Sequence, residues 1–108
     1  MNIDISAILE SAVGAATEAA KKAAPQVEDF LRKIAKGHEA AITSLAEALA
    51  AGDIDEETFK DEMDDEGRTL IAELQVITAI SKAIAQRAIN AFRSALIDGI
   101  TSAVKAAI

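Results

Sequence analysis

His38 is the chain's only imidazole, and no cysteine is present. A histidine can act as general base, proton shuttle or metal ligand. Each role requires companions, and His38 has no second His or Cys to work with. A ferritin-like di-iron site is built from paired Glu-x-x-His elements. The residue three before His38 is Ala35. Ile34 and Ile42 stand one helical turn to either side of His38. That places the ring inside an apolar stripe, where a buried histidine needs a hydrogen-bond partner. His38 therefore reads as a structural polar group.

The second candidate is the acidic run Asp53-Ile-Asp-Glu-Glu-Thr-Phe-Lys-Asp-Glu-Met-Asp-Asp-Glu66. A calcium loop starting at Asp53 fails on spacing. Its sixth position needs glycine and holds Thr58, and its twelfth needs a bidentate glutamate and holds Asp64. Glu62 and Asp65 form one Glu-x-x-Asp element, but no Glu-x-x-Glu on the first half completes a carboxylate metal site. Phe59 and Met63 are spaced to face inward from a helix. Asp61, Asp64 and Asp65 are then expected on its solvated side, as an acidic docking surface for a basic protein or a divalent cation. Serines and threonines are scattered, and the five glycines are isolated, so neither a nucleophile constellation nor a phosphate-cradling loop is present. No catalytic residue, metal site or cofactor is expected, and the chain reads as a non-enzyme.

Composition supports that reading. Among 108 residues there are 25 Ala, 14 Ile and 7 Leu, with three Phe and no Trp or Tyr. These are helix-forming proportions. Hydrophobic residues make up 51% of the chain, too many for a disordered one. The net charge of −7 is uneven: residues 53–69 hold nine acids and two bases, and the flanking segments nearly cancel. With no basic stripe and no stacking aromatics, nucleic acid is excluded as a partner. The N-terminus has no basic segment ahead of an apolar one. The longest uncharged run, Leu74 to Ser81, is eight residues, far short of the roughly 18 that a membrane span needs. A soluble cytoplasmic protein is the default expectation.

The elements that position these residues follow from periodicity. Strong turn chemistry occurs only at Ala51-Gly52-Asp53-Ile54-Asp55, near the middle of a single helical domain spanning 1–108. Gly52 suits the left-handed residue after a helix, and Asp53 or Asp55 suits an N-cap. Before it, Ile5, Leu9, Ala16, Ala23, Val27, Phe30, Ile34 and Leu45 lie on one helical face. The stripe crosses Pro25 without a change of phase, and the flanks lack Gly, Asn and Ser. This predicts one arm over about 4–51, kinked at Pro25. The alternative is a chain reversal at Pro25, giving a compact three-helix bundle. After the turn, Phe59, Met63, Leu70, Leu74, Ile77, Ile84 and Phe92 form a second stripe, which predicts an arm over 55–107.

The expected fold is thus all-α, a long antiparallel helical hairpin. It pairs residues whose numbers sum to about 108. His38 then faces the neighbourhood of residue 70, with Glu66 or Glu73 as its expected partner in a buried polar pair. The second arm is apolar on more than one side. A two-helix hairpin cannot cover that surface, so other copies are expected to, through Leu70, Leu74, Ile77, Ile84, Phe92, Leu96, Ile100 and Val104. The function this implies is a self-assembling, homo-oligomeric structural or scaffolding protein built as a multi-chain bundle. Docking of a basic partner at the acidic tip is the first alternative. Binding of a membrane surface by the late helix, with Lys82, Arg87, Arg93 and Lys105 on it, is the second.

Overall fold

A computed structural model of the chain describes residues 3–78 and 80–107. Four α-helices follow in order: α1 (Ile5–Ala20), α2 (Ala24–Ala51), α3 (Glu56–Thr78) and α4 (Lys82–Ala107). No strand occurs among the described residues.

Each helix begins and ends for a local reason. The Asp4 side chain accepts a hydrogen bond from the Ala7 amide at 3.0 Å and caps α1. At the end of α2, Gly52 adopts φ 80° and ψ 9°, and its amide bonds back to the carbonyls of Ala48 and Leu49. Only a residue without Cβ takes that conformation at no steric cost. Asp55, rather than Asp53, caps α3 by accepting from the Thr58 amide at 2.7 Å. Glu56 and Glu57 fill the first turn of α3, where the helix dipole favours acids. Ser81 caps α4 by accepting from the Ile84 amide at 3.2 Å.

The central turn falls where the sequence puts it, but the two long arms do not exist. Arms of the expected length would reach about 70 Å at 1.5 Å per residue. The molecule measures 41 × 21 × 20 Å. The first arm reverses at Lys21–Ala23, a single turn of 3₁₀ helix, and Pro25 sits in the first turn of α2. There its fixed φ and missing N–H suit the helix start. The reversal thus lies four residues before Pro25, and the proline does not kink a continuous helix. Lys21 itself makes the turn, at φ 52° and ψ −110°. The second arm breaks too, between Thr78 and Lys82. The result is neither a hairpin nor a three-helix bundle. It is an up-and-down arrangement of four helices in which α1 packs on α2 and α4, and α3 on α2 and α4.

The cause of both reversals is apolar area. Folding each arm back buries both sides of the second half within one chain. Leu70, Leu74, Phe92, Leu96, Ile100 and Val104 are all core residues, and Ile84 packs partly buried against them. The Ile77 side chain lies outside the described residues. The surface expected to demand partner copies is therefore consumed internally, and these residues cannot serve as a lateral self-interface without unfolding.

The most extensive helix pairing is α1 with α4. Ala12, Ala16, Ala85 and Ala88 are fully buried, and Gly99 meets Ile8 so closely that a Cβ there would lie 2.9 Å from Ile8 Cγ2. The register of that contact is the one the hairpin pairing predicts. Gly67 faces Arg93 and Ile89 of α4, and Gly37 has open space beside it.

Two backbone features make a stability test. Lys21→Gly relieves a conformation that L-residues rarely adopt and is expected to stabilise the fold by about 1 kcal/mol. Gly37→Ala should gain a similar ~1 kcal/mol from helix propensity alone. Gly99→Ala should gain nothing and lose about 1 kcal/mol, because β-branched Ile8 is stiff at χ1 and cannot yield cheaply. Urea unfolding of the three variants checks the ranking.

Candidate functional site

The acidic run forms the first three turns of α3, and its carboxylates diverge from that helix in several directions. Glu66 points to α2, where its Oε2 lies 3.0 Å from Nδ1 of His38. Asp64 points to α4 and pairs with a guanidinium nitrogen of Arg93. Asp65 pairs along the helix with Arg68, and Glu56 with Lys60. The side chains of Asp61, Asp53, Glu57 and Glu62 are exposed and make no ion pair or hydrogen bond among the described residues.

Of the acidic docking residues expected from sequence, only Asp61 is therefore free. Asp64 is half-buried and holds α3 to α4, and Asp65 is locked to its own helix. Periodicity places a residue on a face, but it does not reveal a cation waiting on the neighbouring helix. Arg93 is the residue that the sequence reading misses in this role. Its position one turn from Ile89 and Leu96, both buried on α4, is the signal that it points inward.

His38 and Glu66 come together across the α2–α3 seam, and Glu73 takes no part in their contact. The pair is not fully buried as expected: the side chains are 29% and 38% exposed. No buried polar or charged residue occurs among the described residues. A half-exposed pair keeps part of its hydration, so its role is to register α2 against α3 rather than to supply large net stability.

Beneath the pair lies a small recess between α2, α3 and α4. Ile34, Ile42, Met63, Leu70, Phe92 and Leu96 form its walls, with His38, Glu66 and Arg93 at its edge. About 20 Å³ is open to the centre of a water-sized sphere, which is room for roughly one water. The buried Nε of Arg93 has no hydrogen-bond partner. The recess is too small for an organic substrate. Among the described residues, no three His, Asp or Glu side chains converge on a metal-binding point.

At the outer end of the run, Asp55 caps α3. Hydrogen bonds from the Thr58 hydroxyl and amide hold its carboxyl below the ordinary carboxylate range. On the α1–α2 side, Arg32 bridges Glu10 at 2.6 Å and Glu28 at 3.2 Å. These bonds hold its guanidinium even more firmly in the charged form. Arg32 ties α1 to α2 as Arg93 ties α3 to α4.

No described helix is long and apolar enough to cross a membrane. Ile100 and Val104, the residues on which membrane-surface binding by the late helix depends, are buried. Comparison of the chain with family models, with characterised proteins and with solved structures returned no match.

Two predictions follow from these pairings. Asp64→Ala strands a half-buried guanidinium and should cost about 1 kcal/mol, whereas Asp65→Ala should stay within about 0.5 kcal/mol of the parent. Denaturant unfolding of both variants and of Arg93→Ala, as a double-mutant cycle, checks the difference. For Asp55 the folded carboxyl is the more acidic one. Its cap is therefore fully effective above the unfolded-state value and is lost as pH falls through the folded one. Asp55→Ala should lower Tm at neutral pH, and the gap to the parent should close in strong acid.

Proposed function

We propose that the protein is a non-enzymatic helical interaction module that docks a basic partner through the end of the bundle formed by the α2–α3 turn and the start of α3. One observation carries this reading. After the internal ion pairs are counted, Asp53, Glu57, Asp61 and Glu62 remain exposed and unpaired together at that end. The apolar faces that argued for a laterally assembling scaffold are occupied within one chain, which removes the main support for that alternative. A divalent cation at the same end lacks the convergent ligands it needs.

The test is titration of the chain with a fluorescently labelled lysine-rich peptide at low ionic strength. The combined variant Asp53→Asn, Glu57→Gln, Asp61→Asn and Glu62→Gln should bind at least tenfold more weakly, about 1.4 kcal/mol, with unchanged far-ultraviolet circular dichroism. Binding by the parent should weaken as salt rises. Equal binding by parent and variant, or no binding by the parent, overturns the proposal.

A further inference from the structure

The opposite end of the bundle carries the opposite charge. The α1–α2 and α3–α4 connections both lie there, because the four helices alternate in direction. Lys21, Lys22, Lys82 and Arg87 are exposed at this end and make no ion pair among the described residues. The acids nearby are Glu18, Glu73, Glu28 and Asp29, of which Glu28 and Asp29 are paired with Arg32 and Lys33. Val76, 86% exposed, is the most exposed large apolar side chain among the described residues and lies in the last turn of α3 at the same end. At the acidic end, six carboxylates between Asp53 and Glu62 stand against Lys60 and Lys105, with Ile54 half-buried among them. The charges left over after internal pairing are thus sorted along the long axis of the molecule, with an aliphatic residue at each end.

We infer that the basic end, where Val76 is exposed, docks the acidic end of a second copy of this chain. This rests on the acidic end being a docking surface, and it names the partner. The two surfaces match in charge and in size, since both are cross-sections of the same bundle. The contact is heterologous: each copy offers one end and keeps the other free. Nothing in a straight end-to-end contact closes it into a ring, so it propagates into linear stacks. A cross-section of 21 × 20 Å gives a small contact by the standard of stable complexes, about 400 Å² per partner against the usual ~800. The stacks are therefore weak, concentration-dependent and salt-sensitive, with a repeat close to the 41 Å length of the bundle.

A charge-swap experiment tests this, with mass followed by light scattering over a concentration series. At low salt the parent's mass should rise above 11.3 kDa with concentration and return to it at high salt. One variant, Lys21→Glu/Lys22→Glu/Lys82→Glu, is acidic at both ends. The other, Asp53→Lys/Glu57→Lys/Asp61→Lys, is basic at both ends. Each alone should stay monomeric, and an equimolar mixture should associate. Val76→Asp should weaken the parent's association. Circular dichroism checks that the variants fold, and if either does not, the corresponding Lys→Gln or Asp→Asn and Glu→Gln set, expected to lose association, replaces it.

A parent that stays monomeric at every concentration overturns the inference. If that monomer still binds the lysine-rich peptide, the acidic end remains a docking surface for a different partner, so the two failures are distinguishable. Association of either swapped variant alone, or no association in the mixture, also overturns it. So does binding of a monomeric parent to vesicles containing phosphatidylserine, which would assign the basic end to a lipid surface.

Discussion

The close approach of α1 and α4 is the constraint on which the rest of the bundle depends. Alanine buries little area per residue, so alanine-rich helices gain stability only if their axes come near enough for backbone and Cβ atoms to pack at interior density. Gly99 against Ile8 sets that distance. The alanines of both helices then fill the seam without voids. With α1 drawn onto α4, the larger side chains Leu31, Phe59, Leu74, Ile89 and Leu96 fill the wider space among the other helices.

The acidic segment is organised by the same geometry. Glu66 follows Asp64 by two positions, and in a helix that spacing of about 200° sends them to opposite flanks. Each flank faces a different neighbour, so α3 is anchored to α2 through His38 and to α4 through Arg93. These anchors are partly hydrated, and they hold position more than they add stability. The inner carboxylates of the run thus act within the fold, and the outer ones are left to the solvent. One continuous charge run is thus divided between carboxylates paired to neighbouring helices and carboxylates left unpaired.

The helical class, the central turn and the antiparallel partners were legible in the residues themselves. Gly52 and Asp55 are local signals, and the in-phase stripes report which faces are buried. A reversal at Pro25 was one of two readings that the residues allowed, and the reversal before Ser81 was not legible, for a physical reason. A stripe that keeps its phase through a turn looks the same whether the chain continues or doubles back. At Lys21 the turn is made by a residue with no intrinsic preference for it, since tertiary burial outweighs the local strain. At Ser81 the only cue is one serine. The contact of His38 with Glu66 could be anticipated, because pairing by number survives when both arms fold over together. Arg93 with Asp64 could not be, because it joins α3 to α4, two helices that the hairpin treats as one.

The topology has a kinetic consequence. The three connections between neighbouring helices are short, and each adjacent pair can form from nearby residues. The pairing of α1 with α4 is different, since it joins the segments furthest apart in the chain and is also the most extensive. Closing that loop costs chain entropy before its contacts are gained. Three helices without the fourth leave the alanine seam open, so partly folded forms lack the contact that holds the molecule together. A single domain of this size is expected to unfold in one cooperative transition, and the pairing of the first helix with the last carries its largest loop-closure cost.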